Sequence, residues 1–163
     1  NSSIVNALTG VTNSEGLANI FIEKMNIQKN CGLASAKDTG CFTNTSVTNL
    51  DGTTGITNYA TNGGISTILT SDGVSYGFSL IKADCTQRVS STVSSPLYNT
   101  CSLVSVDVNG PNKAPYQNGR DLFMFLITKQ GVYPRGALDD SADCLTSGSG
   151  CAFKVLSEGA INY

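Results

Sequence analysis

Leu122-Phe123-Met124-Phe125-Leu126-Ile127-Thr128 is the most apolar run of the chain, and its reading decides the fold. An almost unbroken apolar stretch of this length reads as a central strand buried on both faces. Working outward, Leu103 to Val108 places Val104, Val106 and Val108 on one face of a second strand. Further upstream, Ile68 and Leu69 precede Ser71-Asp72-Gly73, a turn signal. After it Val74, Tyr76, Phe78 and Leu80 alternate with Ser75, Gly77 and Ser79, so the two runs form a hairpin. The expectation is a four-stranded antiparallel meander.

The N-terminal part reads as helix. Ile4, Leu8 and Val11 sit at helical spacing, Gly10 and Asn13 interrupt them, and Thr12 with Glu15 matches a capping box that restarts the helix. Leu17, Ile20, Phe21 and Met25 then form one apolar stripe, with Glu23 and Lys24 off it. The helix is expected to stop near Asn30 and Cys31, with Gly32 just beyond. Residues 32–64 are rich in Thr, Asn and Gly, show no period, and read as a long loop. After Cys151, Ala152, Val155 and Leu156 allow one helical turn, Gly159 stops it, and Ile161 to Tyr163 lie extended. The fold class expected is therefore α+β: an N-terminal amphipathic helix packed on a four-stranded antiparallel sheet, with stapled loops. One domain spans 1–163, with helix over about 1–30, loop 32–64, sheet over about 65–128 and a stapled C-terminal region 129–163.

Charged residues are only 13% of the 163 residues, about half the usual share, and Ser, Thr, Asn and 17 Gly take their place. A weakly charged, neutral polar surface suits a subunit that packs against copies of itself. Net charge is −2 and no basic run exists, which leaves a nucleic-acid partner without support. No segment approaches the roughly 18 consecutive apolar residues of a membrane span. The chain opens at Asn1 and not at Met, so processing and an anchor upstream are expected.

The six cysteines are Cys31, Cys41, Cys85, Cys101, Cys144 and Cys151, with no His and no C-x-x-C, which argues against zinc. Disulfides in an oxidising compartment are the better reading. About 15 connectivities are open to six cysteines. The local one, Cys31–Cys41, Cys85–Cys101 and Cys144–Cys151, is expected, because each pair closes a short polar loop that burial alone would not order. Such loops gain about 2–3 kcal/mol each on the chain-entropy estimate.

Two stretches invite chemistry. Gly73-Val74-Ser75-Tyr76-Gly77 matches G-x-S-x-G, but the chain has no His to activate the serine, and the match lies inside a strand. No catalytic residue is assigned, and the adjacent pair Asp139 and Asp140 reads as solvated. The other stretch is Asp107-Val108-Asn109-Gly110-Pro111-Asn112, continuing to Asn118-Gly119-Arg120-Asp121. D-x-N-G resembles the opening of an oxygen-ligand loop for a hard cation, so Asp107, Asn109 and Asp121 are candidate calcium ligands. An ordinary Asx turn is the competing reading. No cofactor is required by either.

These last residues also carry a family resemblance. The D-x-N-G segment followed by Gly119-Arg120-Asp121-Leu122-Phe123-Met124-Phe125 resembles the D-x-N-G … G-x-D-x-F-x-F segment of type IV pilin-like proteins and pseudopilins. Cys41-Phe42 resembles their first cysteine pair and its C-F, and the tail from Cys144 through Gly150-Cys151-Ala152 to Tyr163 resembles their C-terminal loop. The resemblance implies a ladle-shaped head on a helix spine whose apolar front half is missing here. It implies a structural subunit, not an enzyme, exported through the inner membrane to an extracellular or cell-surface fibre. Its partners would be copies of itself, other pilins and the assembly machinery, with Leu17, Ile20, Phe21 and Met25 as the assembly face of the helix. The alternative is a stand-alone secreted or surface binding module of adhesin type.

Overall fold

A computed structural model describes residues 3–33, 40–55, 59 and 62–163. The apolar run becomes β5 (Leu122–Thr128), and its neighbour is β4 (Thr100–Asp107). Strands β2 (Ser66–Thr70) and β3 (Ser75–Leu80) form the hairpin. Two further strands, β1 (Ile27–Leu33) and β6 (Gly131–Pro134), complete a six-stranded antiparallel sheet in the order β1-β2-β3-β4-β5-β6. The helices are α1 (Ser3–Ala7), α2 (Ser14–Ile22) and α3 (Cys151–Glu158).

The expected architecture of one N-terminal helix on four strands is therefore corrected to a mainly β fold with short helices. The helix expected over about 1–30 breaks at Gly10, which takes φ +81, and ends at Ile22. Asn13, not Thr12, caps α2: its side chain accepts from the Gly16 amide at 2.8 Å. Beyond Met25 the chain turns and runs as β1 along the edge of β2, where ladder hydrogen bonds outweigh a helical tendency that Asn26 and Asn30 keep weak. Strand β6 is four residues long and carries Gly131 and Pro134, so nothing in its composition announces it. The C-terminal helix is longer than the single turn expected, and Gly159 closes it in the left-handed conformation at φ 70. Among the described residues no helix is long and apolar enough to cross a membrane.

Register divides the sheet into two unlike faces, because directly opposed residues share a face. Ile68, Tyr76 and Val106 align with one another, as do Phe78, Val104 and Phe125; Ile127 lies on the same apolar side. Leu8, Leu17 and Ala18 from the N-terminal helices pack on it, and Phe21 meets Phe78 with ring centroids 5.2 Å apart. The opposite face presents Thr67, Ser75, Gly77, Ser105 and Asp107. Phe42, Val47, Tyr59 and Ile65 cover it together with Leu122. Gly77 lets the cover approach closely here: a Cβ on it would lie 3.0 Å from the Tyr59 ring, which would have to shift.

Three disulfides fasten this arrangement, joining Cys31 to Cys41, Cys85 to Cys101 and Cys144 to Cys151. The first ties edge strand β1 to the segment covering the polar face. The second ties the chain leaving β3 to the start of β4, and the third ties a loop to the first residue of α3. Of the long loop expected over 32–64, residues 34–39, 56–58, 60 and 61 lie outside the described residues, as do Asn1 and Ser2 of the expected helix.

Candidate functional site

On the apolar face, β5 carries Phe123, Phe125 and Ile127 in alternation. Ile127 belongs to the cluster under α1 and α2, and Phe123 packs with Cys151 and Ala152 at the start of α3. Phe125 lies between, where neither helix covers the sheet completely. The result is an open apolar groove of about 320 Å³, walled by Phe21 and Met25 on the α2 side and floored by Tyr76, Val106, Phe125 and Val132 among others. No charged side chain lines it. Of the stripe expected to mediate assembly, Leu17 is fully buried against the sheet and has no outward surface. Ile20 is half-buried and packs on the same cluster, while Phe21 and Met25 reach the groove. Met25 lies beyond the end of α2, in the turn leading to β1.

The loop from Asp107 to Asp121 lies at one end of the sheet. Asp107 is only 1% exposed, and its Oδ1 accepts from the amides of Asn109 and Gly110 at 3.2 and 3.1 Å. Burial pushes its carboxyl up to about 7, and the nearby Asp121 adds to the rise. Asp121 is also buried, and its two oxygens accept from the Tyr116 and Gln117 amides at 2.7 and 2.6 Å. Asn109 donates through Nδ2 to the Ala114 carbonyl, and its buried Oδ1 has no partner. The three candidate cation ligands thus sit in one loop, and each carboxylate already holds a backbone turn. Among the described residues no group of three or more His, Cys, Asp or Glu side chains gathers as a metal site. Gly110 takes φ +80, and a Cβ there would come within 2.3 Å of the Gly73 carbonyl, so the loop and the β2–β3 turn touch backbone to backbone.

Ser75 of the G-x-S-x-G match is fully buried in β3, opposite Asp107, and its Oγ has no hydrogen-bond partner. Its hydroxyl is out of reach of any substrate. Asp139 is exposed, as expected, and Asp140 is partly buried; both also hold local structure. Asp139 accepts from Ser90 and Ser95, and Asp140 pairs with Arg135 at 2.8 Å.

Sequence reasoning missed Tyr59, whose hydroxyl donates to Ser105 Oγ at 2.8 Å while its ring stacks on Phe42 at 4.3 Å. It places Tyr163 only as the end of the tail; its hydroxyl donates to the Gly119 carbonyl at 2.6 Å and ties that tail to the β4–β5 loop. Neither lies in a periodic segment; the only local signal was Cys41-Phe42 beside an aperiodic stretch. No protein-family model, curated protein or solved structure matches the chain.

Proposed function

We propose that the chain is a structural subunit of a type IV pilus or a related pseudopilus, joined to copies of itself and to other pilin-like subunits. The observation that carries this reading is the uncovered apolar groove on the helix face of the sheet. An apolar concavity with no charge on its walls loses free energy to water unless something covers it. Burial of its lining by a neighbouring subunit would supply association without any catalytic group. Three further features support the reading. The charge density is low, the staples are of the kind that persists outside the cytoplasm, and the buried Ser75 offers no nucleophile.

The test is assembly in the bacterium that makes the protein. Fibres sheared from the cell surface should contain the chain. Met25→Glu and Val132→Glu, which place a charge at the groove, should remove it from the sheared fraction while leaving soluble, folded protein. Recovery of the wild-type chain only as a free secreted monomer would overturn the fibre reading in favour of a stand-alone binding module.

A further inference from the structure

The end of the sheet that carries the Asp107–Asp121 loop holds a second cleft, similar in size to the apolar groove but polar in its walls. It measures about 300 Å³ and is formed by three separate segments: the start of β1, the β2–β3 turn and the β4–β5 loop. Gln28, Asp72, Asn112 and Lys113 form its polar walls, and Leu69 and Pro111 supply apolar surface. The walls are fixed relative to one another by the Gly73–Gly110 backbone contact. Gln28 has no direct partner in β2, because the register shifts between Ile27 and Lys29. A bulge of this kind re-aims a side chain out of the ladder.

The chemistry of the walls selects a ligand class. The Thr70 hydroxyl donates to Asp72 and holds its carboxyl below the usual carboxylate range, so Asp72 stays a charged acceptor. Lys113 carries the opposite charge in the same lining, so neither sign of charge dominates the cleft. The amides of Gln28 and Asn112 each donate and accept, matching groups that do both. Of the peptide-recognition modes, strand addition would use the outer edge of β1 beside the cleft, whereas an apolar helix groove, an aromatic-lined proline groove or an arginine cluster would need walls it lacks. The cleft has no aromatic and no arginine. Its volume is at the small end of the roughly 300–1,000 Å³ range of ligand sites.

We infer that this cleft binds the end of a neutral saccharide, one pyranose ring deep. Asp72, Gln28 and Asn112 bond its hydroxyls, Lys113 donates to a hydroxyl or ring oxygen, and Leu69 with Pro111 lies against its C–H face. The site is independent of the apolar groove and stands whether or not the chain assembles into a fibre. Shallow single-ring recognition of this kind gives a Kd of about 1–10 mM.

Amide chemical shifts of the isotope-labelled chain test it. The probes are methyl α-glucopyranoside, methyl α-mannopyranoside, lactose and di-N-acetylchitobiose, each taken to about 50 mM so that millimolar binding saturates. At least one should move the amides of Asp72, Gly73, Asn112 and Lys113 saturably. Asp72→Ala and Asn112→Ala should each weaken that binding about tenfold or more, equivalent to one hydrogen-bonding group lost. Both residues are exposed, so the rest of the spectrum should stay unchanged; if Asp72→Ala disturbs the hairpin, Asn112→Ala decides. The inference fails if no probe moves these amides, if both variants bind as the wild type does, or if the tripeptide Gly-Ser-Asn binds there and the sugars do not.

Discussion

The two faces of the sheet bury similar lengths of strand by opposite means. The helix face is apolar from Ile68 to Ile127, and its cover is two short helices and a turn that leave Phe125 and Val132 accessible. The other face mixes Thr67, Ser75, Ser105 and Asp107 with Leu69, Leu122, Met124 and Leu126, and its cover meets it with a specific hydrogen bond, Tyr59 to Ser105, and a close fit at Gly77. Apolar surface is indifferent to what covers it, so an incomplete layer costs only in proportion to the area left wet. Buried hydroxyls give up water: Ser105 is matched by Tyr59, whereas the Thr67 and Ser75 hydroxyls are held without a partner, so this face depends on the fit of its own cover. The difference teaches where a partner can come and go: on the helix face, since the polar face is already committed to its own chain.

The largest effect should come from emptying the helix face. Phe78 is 1% exposed, in the middle of the sheet and against Phe21. Phe78→Ala should destabilise the fold by about 3–5 kcal/mol, read by chemical denaturation, since it removes a buried ring and leaves a cavity. A loss near that of an exposed substitution would mean that the helices do not hold this face closed.

The next effect belongs to the polar face and depends on pH. The Asp107 carboxyl is raised from 3.8 to about 7, with burial as the main cause. The folded protein therefore binds a proton that the unfolded chain has already released, and stability falls as pH rises between those values. This contribution is fully present below the ordinary carboxylate range and is lost through about pH 7, on the order of 1–4 kcal/mol in total. Asp107→Asn should flatten that decline in thermal melts; an unchanged slope would place the proton elsewhere. The same position separates proton from cation. If about 1 mM calcium raises the wild-type melting temperature above pH 7 and leaves Asp107→Ala unmoved, the carboxylate pair holds a hard cation.

Within the polar face, two hydroxyls sharpen the contrast further. Tyr59→Phe removes the donor to Ser105 and leaves a buried acceptor alone, for a loss of about 1–2 kcal/mol. Ser75→Ala removes a buried hydroxyl that has no partner, so it should be neutral or slightly stabilising. Equal losses from the two would show that Ser75 is satisfied by water in solution.

What was legible in the sequence follows the same divide. Strands β2 to β5 carried their own signal, because period-two alternation and an unbroken apolar run are local properties. Strand β1 was hidden inside a helical reading: Leu17, Ile20 and Phe21 do pack from α2 onto the sheet, but nothing local says that the helix stops at Ile22, short of Met25. The open edge of β2 decides that, and it is a tertiary fact. The cysteines were readable as local staples from their order, whereas Tyr59 and Tyr163 were not, since each acts through a partner 46 or 44 residues away. Asp107, Asn109 and Asp121 stand close along the sequence, but that the carboxylate oxygens face backbone amides depends on the path of the folded loop.

The smallest effect on the fold should accompany the largest effect on assembly. Val132 lies on edge strand β6, is 54% exposed, and contributes to the groove. Val132→Glu takes no side chain out of the core, so unfolding free energy should change by no more than about 0.5 kcal/mol. Inserting a carboxylate into a contact that buries an apolar surface leaves a charge without water or a partner, which costs several kcal/mol or forces the contact apart. The variant should therefore melt with the wild type and yet be absent from sheared fibres. A variant that assembles normally would remove the groove from the interface. One that unfolds would show instead that Val132 belongs to the core of the subunit, and that the helix face is more fully closed than its two short helices suggest.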